Sequence, residues 1–472
     1  MKAPPVWHQF GVVFMAAFVP RVLVAFFFPA SGGDSATYAT VAENIVLNAC
    51  VSMSDPASGA CVPHWGGNHL PGFPAVTGAL WWIFPTSWMA VTITQSFVAA
   101  TVTTYLFQAL TRLLDSQRVA LFAALTVALS PLTLPWARYS LPDALAVCAG
   151  VWVAAELMHS LAESRLRLLT MSIALTAALF LRLDSVFLGI PVAVVGFYLH
   201  SPAQAIRRGL TICLIVSLPL GLWVVRSAFA GLGWTPQANF LMDGSPTPTG
   251  YLDWARTWAT SQYQAPNWWF PVRAGRYSEI KIDPGIYLGE EEQRQVEHLL
   301  STLAKFERQA FPAHVDQEFA ALATERRMAA PIPYWLLLPL ERIRNIWFNP
   351  LNSAGWPVAV GWSGGIASPK DLMSFVAANP SSVAVKGSTA IYRAMLPVVV
   401  VFLCVWSLRH GRDVLSVIAW AALLYAIVRT VFLGWFFLIE SRYLLGSIPF
   451  LELAVAIGLA EYAKFRQSIN RP

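Results

Sequence analysis

Long apolar stretches recur along this chain, and they constrain its fold more than any other feature of the sequence. A bilayer core is about 30 Å thick, so a helix needs about 20 largely apolar residues to cross it. Hydrophobic residues make up 56% of the 472 residues and charged residues only 12%, and the mean hydropathy is +0.54. Soluble domains carry roughly a quarter charged residues. The sequence therefore predicts an all-α polytopic membrane protein.

Ten such stretches predict a bundle of about ten transmembrane helices. They lie at approximately 9–28, 88–110, 119–136, 143–160, 168–183, 185–200, 209–229, 390–408, 414–434 and 443–461. If the N-terminus lies on the cytoplasmic side, the inner loops and the C-terminal tail carry the basic residues that the positive-inside rule requires there. These residues are Arg112, Arg118, Arg165, Arg167, Arg207, Arg208, Arg409, Arg412, Lys464 and Arg466. We expect both termini in the cytoplasm and the first span to stay uncleaved. The scatter of the positive charge among short loops argues against nucleic-acid binding.

The spans divide the chain into three parts. Residues 1–229 form a transmembrane module with a first outer loop at 29–87, residues 230–389 form an outer segment, and residues 390–472 hold the last helices and a cytoplasmic tail. The apolar run at 75–84 is too short to span and predicts a helix that lies at the outer surface or re-enters partway. A second interfacial helix is expected near 331–348. The tryptophans of the outer segment suit either sugar stacking or packing; they include Trp234, Trp254, Trp258, Trp268 and Trp269.

Charged residues flank the outer ends of several spans. The acids are Asp34, Asp143, Asp184 and Glu440, and the arginines are Arg138, Arg182, Arg226 and Arg442. Each alone is explained by its helix end, and Asp34 is expected to cap the helix that follows it. Arginines at outer ends run against the positive-inside bias, so the set as a whole indicates a functional cluster. Arg21, inside the first span, is expected to face a polar cavity or an acid.

Cysteine and histidine are sparse. Cys50 and Cys61 both fall in the first outer loop, where an oxidising compartment favours a disulfide between them. His64 and His69 could bind a metal together with Asp34, although histidines in a polar loop are more often simply solvated. No metal-spaced Cys/His motif is present, so no cofactor is required by the sequence. A divalent metal stays open as an alternative without a ligand motif.

Three segments resemble the GT-C membrane glycosyltransferases. GGDSATYATVAENI followed by HLPGFPAVTGALWW resembles their first outer loop, ARYSLPDALA their second-loop acidic motif, and ESRYLLGSIPFLELAVAIGLA their closing pattern. The similarity is to the branch of protein O-mannosyltransferases and aminoarabinose transferases, and it covers roughly residues 9–230 and 430–461. It implies an inverting transfer of a sugar from a dolichyl- or undecaprenyl-phosphate donor to an acceptor hydroxyl. The expected place is the periplasmic face of a bacterial inner membrane.

The resemblance also implies roles for individual residues. Asp34 would be the general base, and Asp143 would orient an arginine or the acceptor. Residues expected to hold the donor phosphate are Arg442, Arg226, Arg138 and Arg182; those expected near the acceptor or the sugar are Tyr38, His69, Glu440 and Tyr443. Many family members carry two acids at the first motif. Ser35 follows Asp34 here, which puts a two-acid or metal-assisted version in doubt.

The expected partners are the polyprenyl-phosphate-sugar donor, membrane lipids, and a lipid, glycan or protein acceptor. Two other functions stay open at this point. A transporter or flippase for a lipid-linked sugar would also hold phosphate with arginines, but it predicts polar residues near the bilayer midplane. An O-antigen ligase or polymerase would use the same carrier, but it depends on large outer loops rich in His and Arg.

Overall fold

The computed structural model describes residues 7–32, 34–61, 70–236, 245–261, 264–349, 354–358, 369–410, 413–435 and 440–469. These residues form helices and no β-strand. The helices are α1 (Trp7–Phe27), α2 (Ser35–Asn48), α3 (Gly72–Ile83), α4 (Trp88–Leu113), α5 (Gln117–Ala128), α6 (Pro142–Glu163), α7 (Leu168–Leu181), α8 (Gly189–Leu199), α9 (Pro202–Phe229), α10 (Thr249–Ala255), α11 (Ala265–Arg273), α12 (Glu290–Leu303), α13 (Ala313–Ala329), α14 (Leu338–Phe348), α15 (Pro369–Ala378), α16 (Pro380–Arg409), α17 (Asp413–Trp435) and α18 (Ile448–Ile469).

Within the described residues, six helices are long and apolar enough to cross a membrane: α1, α4, α6, α9, α16 and α17. The chain is therefore a helical membrane protein. The other four predicted spans correspond to the shorter apolar helices α5, α7 and Leu183–Leu199, and to α18. By length and composition, the described residues thus contain six candidate transmembrane helices and not the ten expected from the sequence.

The predicted span at 119–136 is too long. Its helix, α5, ends at Ala128, and residues Leu134–Arg138 form a 3₁₀ turn instead. Pro131 and Pro135 explain the early end, because proline lacks the N–H for the helical bond and restricts the residue before it.

The short apolar run before α4 forms α3, whose twelve residues extend about 18 Å. This helix is too short to span the bilayer, as its sequence indicates. Trp82 and Ile83 at its end are exposed.

The outer segment has a hydrophobic core of its own, built from α10 to α13. Tyr251, Trp254, Trp268 and Phe319 are buried in it, and the Tyr251 and Phe319 rings meet edge to face at 5.0 Å between centroids. Trp254 and Trp268 therefore pack rather than face a sugar, while Trp234 is exposed.

The predicted interfacial helix comprises a π-helical turn, Pro333–Leu337, followed by α14. Trp335 and Leu336 are exposed, as membrane contact requires. Arg342, by contrast, is buried and donates to Ala259 O at 2.9 Å and to Gly434 O at 3.2 Å. It ties the outer segment to α17 and does not face lipid headgroups.

α6 lies at the centre of the bundle, and most of its residues are buried. Arg21 of α1 is buried near it and donates to Ala128 O at 2.6 Å. Arg21 also lines a small and mostly apolar cavity, which includes Gln95 and Thr103. The cavity expected at Arg21 is therefore polar only in part, and the guanidinium donates to the backbone carbonyls of Ala17 and Ala128 instead.

Candidate functional site

Two loops that are far apart in the sequence meet at one end of the bundle. After α1, the Ala30 N–H donates to Arg138 O at 3.2 Å, in the loop that precedes α6. The Ser35 hydroxyl donates to Ser140 O at 3.1 Å. Buried backbone groups need such partners. The bonds therefore hold the first turn of α2, where Asp34 stands, against the loop that leads into α6.

The Asp34 carboxylate does not cap α2, contrary to the prediction. The residue has helical backbone angles, φ −89° and ψ −6°, and its side chain makes no capping hydrogen bond. Oδ2 instead accepts from Arg442 Nη2 at 3.2 Å, and Oδ1 lies 3.8 Å from Arg273 Nη1. Charge-assisted bonds to guanidinium are stronger than bonds to neutral donors, so the carboxylate turns towards the arginines. It keeps 19% of its side-chain surface exposed.

Arg442 is the hub of the site. Besides Asp34, its Nη1 lies 3.8 Å from Asp143 Oδ2, and its Nε contacts Glu440. The 3₁₀ turn Ser441–Leu444, which leads into α18, carries this side chain. Burial works against the charged guanidinium, but Asp143, Tyr443 and the other acids outweigh burial and raise the Arg442 pKa well above its usual value. Arg442 therefore stays charged and can bind anions.

A second row of ion pairs supports the hub from inside the bundle. Asp143 lies in the first turn of α6 and has only 2% of its side chain exposed; its Oδ1 accepts from Arg182 Nη1 at 2.7 Å. Arg182 Nε donates to Asp184 Oδ1 at 3.0 Å, and Arg429 Nη2 donates to Asp184 Oδ2 at 2.5 Å. Gly446 leaves room for Arg429, because a Cβ there would lie 2.0 Å from Nη1. These pairs hold Asp143 and Arg182 in fixed orientations.

Two tyrosines border the cluster. The Tyr443 ring lies under the guanidinium carbons of Arg182 and Arg442, 4.4 and 5.5 Å from its centroid. Burial and the nearby Glu440 raise the pKa of Tyr443 to about 12. Tyr38 is buried one turn into α2, and burial, Asp34 and Asp143 raise its pKa. Both phenols therefore keep their protons at neutral pH and can donate a hydrogen bond.

Glu440 is the most exposed of the acids on Arg442, with 32% of its side chain accessible. Burial raises its pKa, Arg442 opposes this, and the charges of Asp34 and Asp143 add to the increase. The surroundings of Glu440 therefore favour its proton uptake.

Arg138 and Arg226 are not joined to this network by any ion pair among the described residues. Arg138 stacks on Tyr139, 4.9 Å from the ring centroid, and Arg226 Nη2 donates to Val51 O at 3.1 Å. Arg226 thus anchors the loop that contains Cys50. The structure therefore brings Arg442 and Arg182 to the acids, whereas Arg138 and Arg226 lie beside the cluster.

Cys50 and Cys61 form a disulfide, as predicted. His64 and His69 lie outside the described residues. Where the chain is described, no three His, Cys, Asp or Glu side chains come close enough together to hold a metal ion.

Two members of the cluster, Arg273 and Arg429, were not expected from the sequence, and a third, Asp184, was noted there without a role. Arg273 belongs to the outer segment, and no pattern there indicated it. Asp184 stands in the charged end of the fifth predicted span, but had no assigned role. Arg429 interrupts an apolar span, and a lone intramembrane arginine is itself a sign of a functional site.

The fold and the site together define a helical membrane protein with an Asp–Arg cluster at one end of its bundle. Comparisons with known protein families, with curated proteins and with solved structures gave no match.

Proposed function

We propose that the protein is an integral membrane glycosyltransferase of the GT-C type. It transfers a sugar from a polyprenyl-phosphate donor to an acceptor hydroxyl, at the outer face of a bacterial cytoplasmic membrane. One observation carries the proposal: a partly exposed carboxylate, Asp34, shares Arg442 with the buried Asp143 and with Glu440, although 408 positions separate Asp34 from Arg442. Such an arrangement offers an anion site and a proton acceptor at the same point.

In this proposal, Arg442 binds the phosphate of the donor. A phosphate diester presents the same kind of oxygen pair as a carboxylate, so it can replace Asp34 at the guanidinium. Arg182, fixed by Asp143 and Asp184, lies over the same Tyr443 ring as Arg442. The released Asp34 carboxylate loses a cationic partner, which makes it a better proton acceptor.

The transfer is a single displacement. The acceptor oxygen forms a bond to the anomeric carbon, and its proton passes to Asp34. The bond between that carbon and the phosphate oxygen breaks, and its electron pair leaves with the polyprenyl phosphate. Arg442 stabilises the negative charge that develops on the leaving group. The anomeric configuration is inverted.

Charge balance gives Glu440 a part in donor binding. Asp34, Asp143, Asp184 and Glu440 are matched by the four arginines that pair with them, so the cluster is close to neutral. A phosphodiester adds one negative charge. Proton uptake by Glu440, whose pKa is already raised, compensates for this charge.

Asp34→Asn tests the base in proteoliposomes. The probes are undecaprenyl-phosphate-linked mannose, glucose and aminoarabinose with a cell-envelope lipid extract as acceptor, and the readout is release of undecaprenyl phosphate. Loss of a positioned base lowers the rate by about 10²–10⁴-fold. Asp55→Asn is the matched control, since Asp55 lies in the same outer loop and, among the described residues, its side chain accepts only from Ala57 N in its own turn. Turnover of Asp34→Asn equal to that control contradicts the assignment.

A lipid-linked sugar transporter is the second candidate, because some polar residues are buried within the spans. Glu452 of α18 is fully buried and accepts from the Tyr392 hydroxyl at 3.0 Å, and Arg21 is buried nearby. A fluorescent undecaprenyl-phosphate sugar in sealed proteoliposomes separates the two functions. Movement across the bilayer without release of undecaprenyl phosphate supports transport, and release supports transfer.

A further inference from the structure

A cleft lined by arginines lies at the end of the bundle opposite Asp34. It lies between the loop that joins α6 to α7 and the first turns of α9. The directions of two helices place the cleft at that end. α6 begins at the acid cluster and runs away from it, and α9 reaches the first outer loop only near its C-terminal end, at Arg226. The polar side chains that line the cleft are Arg165, Arg167, Arg207, Arg208, Thr170 and Thr211.

The arginines of this cleft are not all neutralised. Arg167 lies 3.3 Å from Glu156, and Arg165 lies 3.2 Å from Glu163. Arg207 and Arg208 pair with no carboxylate in the part of the chain that the structure describes. Four positive charges therefore face two negative ones, and the cleft keeps a net positive charge. Such a cleft attracts a phosphate group.

The surface next to the cleft is apolar and exposed. Leu169 of α7 and Leu210 and Leu214 of α9 are all exposed, and the two helices pack against each other. In a membrane, this surface contacts acyl chains. A phosphate that sits among the arginines is therefore placed to belong to a lipid whose chains lie along α7 and α9, and not to a molecule free in water.

We propose that this cleft binds the phosphate of an anionic glycerophospholipid in the adjacent leaflet. The site is separate from the Asp34 cluster and does not depend on the glycosyltransferase proposal. Arg207 and Arg208 supply the charge that is not already paired. An anionic headgroup is preferred over a zwitterionic one, because the amine of the latter would bring a positive charge among the arginines.

Native mass spectrometry of the purified full-length protein tests this site. The probes are phosphatidylglycerol and phosphatidylethanolamine with the same acyl chains, each titrated separately, and inorganic phosphate as a competitor. The variant is Arg207→Gln/Arg208→Gln. Its matched control is Arg118→Gln/Arg409→Gln, which removes two exposed arginines from the same end of the bundle. Thermal unfolding confirms that each variant is folded.

We expect phosphatidylglycerol to bind in preference to phosphatidylethanolamine. Removing two arginines weakens this binding by about thirtyfold, since each contributes about a fivefold factor near a membrane surface, while the control variant binds as the wild type does. Equal losses in both double variants would show a general surface-charge effect and overturn the proposal. Equal binding of the zwitterionic lipid, or displacement by millimolar inorganic phosphate, would overturn it too.

Discussion

Replacing Arg442 by Gln removes the hub of the cluster and should affect donor binding far more than folding. The side chain has three acidic neighbours, at 3.2 Å (Asp34), at 3.8 Å (Asp143) and in direct contact (Glu440). Asp34 keeps Arg273 and Asp143 keeps Arg182 when Arg442 is lost. Glu440 loses Arg442, but it is the most exposed of the three acids and its proton uptake is already favoured. The more buried carboxylates therefore keep a cation, and we expect the melting temperature to fall by only about 5 °C.

The effect on binding follows from the same geometry. A unit charge pair at 3.2 Å interacts with about 5 kcal/mol at an effective dielectric constant of 20. The donor phosphate must displace the Asp34 carboxylate, which has an attraction of similar size, so only part of this energy appears as affinity. A net value of about 2 kcal/mol corresponds to a rise in Kd of about thirtyfold. Arg442→Lys keeps the charge but loses the two-pronged geometry of the guanidinium, so its Kd should fall between those of the wild type and Arg442→Gln.

The assay is equilibrium binding of undecaprenyl phosphate to the detergent-solubilised protein, with thermal unfolding measured in parallel. Arg276→Gln is the matched control, because Arg276 is half exposed in the outer segment and, in the part of the chain that the structure describes, forms an ion pair only with its neighbour Glu279. A Kd for Arg442→Gln within twofold of the control, in protein that unfolds cooperatively, would refute the phosphate role.

Two further predictions concern the surroundings of the site. The pKa of Glu440 is raised, so its protonated form is present below pH 4.5 and is lost as the pH rises through the higher pKa of the folded state. Donor affinity should decline over the same range, and Glu440→Gln should flatten this decline in binding titrations between pH 4.5 and 8. An unchanged slope would rule out a part for Glu440 in donor binding. Replacing Cys50 and Cys61 by Ser reopens a loop whose closure contributes about 3 kcal/mol, so the melting temperature should fall below that of the exposed-cysteine control Cys213→Ser, and equal melting temperatures would contradict this.

Helical class and membrane insertion followed from the sequence because both depend on local properties. Apolar length and the lack of charge decide whether a segment can cross a bilayer, and α1, α4, α6 and α17 fall where these patterns indicate, while α9 and α16 begin at Pro202 and Pro380, earlier than the predicted spans at 209–229 and 390–408. Helix ends were harder to predict. Proline at positions 131 and 135 ends α5 early, although the surrounding composition is still apolar. Hydropathy measures the environment that a segment prefers, and does not report where its backbone bonds stop.

Which arginine pairs with which acid in the site is decided by tertiary packing. The sequence indicated Asp34, Asp143, Arg182 and Arg442 as charges at outer helix ends, and the structure joins them directly. The sequence did not indicate which arginines would contact which acids. Arg138 and Arg226 were placed near the same end of the spans, yet one stacks on a tyrosine and the other donates to a backbone carbonyl.

By itself, the sequence determined that this is a helical membrane protein in which acids and arginines occur together at the same end of several spans, and it indicated the Cys50–Cys61 disulfide. Only the tertiary structure decided that Asp34 turns away from its own helix towards Arg442 and Arg273. The physical reason lies in the range of the interactions. Span and capping preferences involve residues within a few turns of each other, whereas the strongest partner of a carboxylate is the nearest guanidinium in space. Here that guanidinium arrives from the other end of the chain.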